Sequence, residues 1–152
     1  MGCMTYSALT RYLSLDLTAS STPPAIAAEE QNSDYESAVV QLENQHWRIR
    51  TARITPTKPG AFLACWTRDG EGRTVPFSAG EKIAGMLVFV QDGERFGVFR
   101  FTEDHLRELG ITTSDSSPGK RGFRVYPSWC TQLNPQAQRT QRAQSSAFST
   151  LV

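Results

Sequence analysis

Residues 85–101 read GMLVFVQDGERFGVFRF, and no other stretch constrains the fold as tightly. Gly85–Val90 is the most apolar run of the chain and is rich in β-branched and aromatic residues, which predicts a buried central strand. Asp92-Gly93 is a hairpin dipeptide, and it turns the chain back into Arg95–Phe101, a second apolar strand. The chain must therefore build a sheet around this hairpin.

The flanking segments supply the rest. Tyr6, Leu9, Leu13 and Leu17 form a helical stripe, so a short first helix is expected over Tyr6–Leu17. Thr18–Gln31 is small, Pro-rich and then acidic, and reads as a loop. Ser33 with Glu36 three residues on makes a capping box, which predicts a second helix through Tyr35, Ala38, Val39 and Leu42 to Asn44. From Trp47 the period changes to two. Trp47, Ile49, Thr51 and Ile54 predict a strand with Arg48, Arg50 and Arg53 on its other face. Residues 55–60 (TPTKPG) must turn, and Ala61–Thr67 is the return strand. Asp69–Gly72 is another turn, leading into a short strand at Thr74–Phe77. Thr102 caps a helix over Glu103–Leu109, which Gly110 closes. Gly122–Tyr126 is a last strand, and Asn134-Pro135 opens a final helix running to about Ser149.

The expected class is α+β: a central mixed, largely antiparallel sheet flanked by helices. A length of 152 residues fits one such domain, with residues 1–34 as an N-terminal helix and Pro-rich, acidic segment and 35–152 as the main body. No run approaches the 18 apolar residues of a membrane span, and no charged region precedes the first apolar stretch as in a signal peptide. Gly2-Cys3 lacks the Ser or Thr at position six that myristoylation wants, since Tyr6 stands there. Cys3, Cys65 and Cys130 are far apart, with only His46 and His105 for company, so no metal and no resident cofactor is expected. A cytoplasmic location suits these isolated thiols.

The net charge of +1 is a cancellation. Residues 1–46 sum to −5 and residues 47–152 to +6, and from Gly119 onward five basic residues face no acidic one. Such asymmetry points to a polyanionic partner or to a solvated basic face. Two stretches interleave basic and aromatic residues. The first holds Arg48, Arg50, Arg53, Lys58, Trp66 and Arg68. The second is Gly119-Lys120-Arg121-Gly122-Phe123-Arg124-Val125-Tyr126-Pro127-Ser128-Trp129, where alternation would put Arg124 and Tyr126 opposite Phe123 and Val125. Cations neutralise phosphates, and Tyr, Trp and guanidinium planes stack on bases. An edge strand kept soluble by charge would look the same. The last helix adds Gln141 among other long polar side chains.

The stretch Arg53–Phe62, then Trp66-Thr67-Arg68 and Pro76-Phe77, then Gly119–Trp129, and Gln136-Ala137 with Thr140-Gln141, resembles the bacterial MepB family, in order and over roughly residues 35–150. The resemblance implies a fold similar to PD-(D/E)XK nucleases and nucleic-acid binding. Two positions depart from it: Ala143 and Ala147 stand where the family tends to have aromatics. The nuclease signature itself is missing. Pro56, Gly80 and Pro118 precede Lys58, Lys82 and Lys120 by two, so no D/E-x-K exists. The expectation is a binding protein without catalysis, favouring DNA over RNA, with Arg53, Lys58, Trp66, Arg68, Lys120, Arg121, Arg124, Tyr126, Trp129 and Gln141 at its interface. The alternatives are a Mg²⁺- or Mn²⁺-dependent nuclease using Glu36, Asp69 or Glu71, and an anion- or protein-binding module.

Overall fold

A computed structural model describes residues 5–15 and 24–152. The chain runs α1 (Ser7–Leu15), β1 (Ile26–Ala28), β2 (Ala38–Leu42), β3 (Gln45–Thr51), β4 (Arg53–Ile54), β5 (Ala61–Ala64), β6 (Trp66–Arg68), β7 (Thr74–Pro76), β8 (Gly85–Asp92), β9 (Arg95–Thr102), α2 (Glu103–Glu108), β10 (Gly122–Val125), α3 (Pro135–Gln144) and β11 (Phe148–Thr150). The expectations placed on Gly2, Cys3, Leu17 and residues 18–23 lie outside the described residues.

The predicted hairpin is the centre of the molecule. β8 and β9 pair antiparallel from Gly85↔Thr102 to Asp92↔Arg95. The six-stranded sheet has the order β1-β2-β3-β8-β9-β11, and only β3 and β8 run parallel. Gly85 sits where β3, β8 and β9 converge. A Cβ there would lie 1.9 Å from the Phe101 carbonyl and 2.8 Å from the Trp47 ring, so only glycine fits.

β8 is buried on both faces, which explains its unbroken apolar run. Met86, Val88 and Val90 face one layer, made by a three-stranded sheet (β10-β5-β4), α2 and the segment after α3. Leu87 and Phe89 face the other, where Ala8 and Leu9 of α1 pack with Ala38, Val40, Trp47 and Ile49. The α2 helix begins as predicted: Thr102 Oγ1 accepts from the His105 N–H at 3.2 Å, and Gly110 (φ 72°) ends it. The class is thus α+β with a central mixed sheet. Among the described residues no helix is long and apolar enough to cross a membrane.

Four elements differ from expectation. The helix predicted over Ser33–Asn44 is a single 3-10 turn (Ser33–Tyr35) followed by strand β2. Asn32 and Glu36 take left-handed conformations that a helix cannot continue, and the Ser33–Glu36 capping box does not form. Ala38 and Val40 are fully buried in strand alternation, and Glu43-Asn44 (φ 52° and 64°) makes the tight turn into β3. β1, in the segment predicted as a loop, pairs with β2 from Ile26↔Val40 to Ala28↔Ala38. The final helix ends at Gln144 rather than near Ser149. Phe148 leaves it to sit over Gly97, its ring tilted against Phe99 with centroids 4.7 Å apart, and β11 completes the sheet edge. The return strand Ala61–Thr67 also splits at Cys65, because β5 pairs with β10 while β6 pairs with β7.

Candidate nucleic-acid interface

β10 alternates as its sequence implies. Phe123 and Val125 are buried in the core, and Arg124 and Tyr126 face outward. The strand lies at the edge of the small sheet, so its free backbone groups need partners. Gln144 provides them. Its side chain is buried, its Nε2 donates to the Arg124 carbonyl at 2.8 Å, and its Oε1 accepts from the Tyr126 N–H at 3.0 Å. One amide thus stands in for a neighbouring strand and docks α3 against β10. Gln141 does the same one turn earlier, donating to the carbonyls of Pro127 (2.9 Å) and Cys130 (3.1 Å).

Between α3, β10, the C-terminal end of α2 and the turn before β5 opens a cleft of about 690 Å³. Lys58, Lys120, Arg124 and Arg139 line it, with Tyr126, Gln136, Asn134 and Thr140, over a floor that includes Leu109, Ile111 and Phe123. The turn is drawn in tightly. Gly60 (φ 76°) leaves only 2.8 Å between a would-be Cβ and the Tyr126 ring, and Arg124 Nη1 donates to the Pro59 carbonyl at 3.2 Å. Among the described residues none of the four cations lies within 4 Å of a carboxylate. Glu108 is the one acid in the lining.

A MepB-like family model matches residues 29–150. The solved structure of MepB is 34% identical to this chain, with a TM-score of 0.83, covering 96% of this chain and 97% of that one. The chain belongs to the MepB-like family. No curated protein matches it. All the cleft-lining residues fall within the matched span.

In this MepB-like chain the first basic stretch has another fate. Arg50 is fully buried, and all its donors are used: Nη1 and Nη2 on the Glu29 carboxylate at 3.0 and 2.8 Å, with further bonds to the carbonyls of Ile49 and Ala64 and to Asn32 Oδ1. Arg48 lies 3.7 Å over the Phe77 ring and pairs with Glu81 at 2.7 Å. The expected polar face of β3 is therefore an internal ion network. It binds the segment before Tyr35 to the sheet through Glu29.

Of the ten predicted interface residues, the cleft collects Lys58, Lys120, Arg124 and Tyr126. Trp66 and Arg68 sit on the β6–β7 ribbon, the guanidinium 5.2 Å from the indole, and Arg121 bonds Thr74 on the same ribbon at 3.3 Å. Arg53 is on β4, exposed. Trp129 packs edge-on against Phe148 at 5.5 Å and under Arg95, closing the core rather than lining the cleft. Gln141 is a backbone anchor. Arg139 and Gln136 complete the cleft, and the signal for them was the acid-free C-terminal stretch. Glu108 carried no signal at all.

The acids weighed for metal chemistry are engaged elsewhere. Asp69 accepts from the backbone N–H groups of Arg73 and Glu71 at 2.9 Å, and these bonds, that of Arg73 foremost, hold its carboxyl below the usual range. Glu71 pairs with Arg73 at 2.9 Å, and Glu36 accepts from Ser7 Oγ. Among the described residues no group of three or more His, Cys, Asp or Glu is placed to hold a metal. Burial pushes the Cys65 thiol up to about 12 and also raises Cys130.

Proposed function

We propose that this protein binds nucleic acid in the cleft between α3 and β10, without cleaving it. The observation that carries the reading is the convergence of four cations on one cleft, none of them, among the described residues, within 4 Å of a carboxylate. Arg48, Arg50, Arg73 and Arg107 are each matched to an acid, and other unmatched cations, such as Arg53, Arg68 and Arg95, do not line the cleft. Cations left unmatched around a concave surface create a positive potential that draws phosphates. Tyr126, Gln136 and the apolar floor offer surfaces on which bases can lie. In this reading a nuclease-like scaffold serves binding alone, and the engagement of Asp69 and Glu71 with Arg73 supports that over a metal-dependent reaction.

A binding titration at two salt concentrations tests the proposal. Four phosphate contacts on a single strand give a slope near −2.8 in log K against log salt, so affinity should fall about fifty-fold between 50 and 200 mM. No detectable binding at low salt would sink the reading. Cleavage of plasmid with Mg²⁺ or Mn²⁺ that EDTA abolishes and further purification preserves would replace it with a nuclease.

A further inference from the structure

A second feature adjoins the cleft. In antiparallel register Phe62 on β5 stands opposite Arg53 on β4 and opposite Arg124 on β10. Directly opposed residues share a face of the sheet, with Cβ atoms roughly 5 Å apart. A phenyl ring therefore stands between two guanidinium arms. Ala61 and Leu63, on the other face of β5, are fully buried, so this is the outer face. Phe62 belongs to neither core cluster. Its ring extends over Gly122, where a Cβ would come within 2.6 Å of it, and meets Tyr35 edge-on at 6.3 Å. The Arg124 guanidinium is 6.0 Å from the ring centroid, and among the described residues Arg53 has no carboxylate within 4 Å. Covering Gly122 needs an apolar side chain of some kind. It does not need an aromatic bracketed by unmatched cations, one of which also lines the cleft.

We propose that the outer face of the three-stranded sheet is a second contact surface for the strand held in the cleft, with one base stacked on Phe62 and the phosphates beside it on Arg53 and Arg124. This rests on the cleft reading and extends it. A short oligonucleotide occupies the cleft alone. A longer one continues past Arg124 onto Phe62 and gains affinity there. Stacking on an aromatic makes an alanine substitution cost about tenfold in affinity.

The test is a fluorescence-anisotropy length series with labelled single-stranded homopolymers of increasing length at fixed salt. Wild type should gain affinity with length and then plateau. Phe62→Ala should lower the plateau about tenfold and leave the shortest binding oligonucleotide within twofold. Phe62→Leu, which still covers Gly122, should bind like Phe62→Ala, and Phe62→Trp like wild type. Arg53→Ala should reduce the salt slope by about 0.7 on long oligonucleotides only. The inference is overturned by a wild type that binds short strands and gains nothing with length. It is equally overturned by a Phe62→Leu protein with wild-type plateau affinity, or by one that weakens short and long strands alike. If no oligonucleotide of any length binds wild type, the cleft reading itself falls.

Discussion

β3 and β10 both alternate cations with apolar residues, and the molecule uses them in opposite ways. On β3, Arg50 is sealed from solvent and held bidentate by Glu29, and Arg48 lies over the Phe77 ring and pairs with Glu81. On and beside β10, Lys120 and Arg124 line the open cleft, and among the described residues neither has a carboxylate within 4 Å. A cation becomes structural where the fold brings a carboxylate to it and stays available to an anion where the fold withholds one. β3 lies between β2 and β8, so its side chains meet the layer above on one side and α1's layer on the other. β10 is an edge strand whose open side is closed by the Gln144 amide, and its outward side chains Arg124 and Tyr126 reach the cleft.

This contrast can be broken at either end. The largest effect is expected from Arg50→Ala, which strips Glu29 of its partner in a buried network. Breaking such a pair costs about 3–5 kcal/mol, read as a fall in the urea midpoint, with any nucleic-acid affinity of the folded fraction unchanged. An Arg50→Ala protein of normal stability and reduced affinity would reverse the assignment. Next comes Gln144→Ala. It leaves the Tyr126 N–H and Arg124 carbonyl without partners and should cost about 2–3 kcal/mol in the same assay. Lys120→Ala with Arg124→Ala should leave the midpoint within about 0.5 kcal/mol. Together they should weaken binding about tenfold or more and flatten the salt slope by about 1.4. The smallest effect belongs to Glu108→Gln. Removing the one acid from the cleft lining should strengthen binding about twofold, seen in the same titration at low salt.

A pH titration sharpens the picture of the interior near β3. Burial holds the Cys65 thiol protonated to about 12, against an ordinary 9.0, although Arg50 and Arg48 pull the other way. The unfolded chain loses that proton near its ordinary value while the folded chain keeps it. The contribution to stability is complete below about pH 9 and disappears between 9 and 12. Cys65→Ala should remove this alkaline component of the unfolding curve.

Much of the frame was legible because it depends on neighbours in sequence. The β8–β9 hairpin followed from an apolar run and Asp92-Gly93, α2 from Thr102 and Gly110, and the outward set of β10 from alternation. The segment at Ser33–Asn44 was not legible. Ala38 and Leu42 satisfy a helical stripe and a strand face equally, and Ser33 with Glu36 favours the helix locally. The decision came from β1 and β3, which offer β2 ladders on both sides, and from Asn32, whose Oδ1 accepts from Arg50 Nη2 and the Trp66 N–H. The end of α3 was hidden for the same reason, since Phe148 turns away only because Gly97 leaves room for its ring.

For the candidate site, the sequence by itself determined the inventory: the excess of cations after Trp47, the acid-free stretch from Gly119, and the facing of Arg124 and Tyr126 away from the core. These are consequences of composition and of a two-residue period, and they need no knowledge of what lies across the sheet. Only the tertiary structure decided which cations stay unpaired and open. That choice depends on pairs such as Arg50 with Glu29, which lie far apart in the chain. Electrostatic pairing acts through a few ångströms of space, and only folding decides which residues share them.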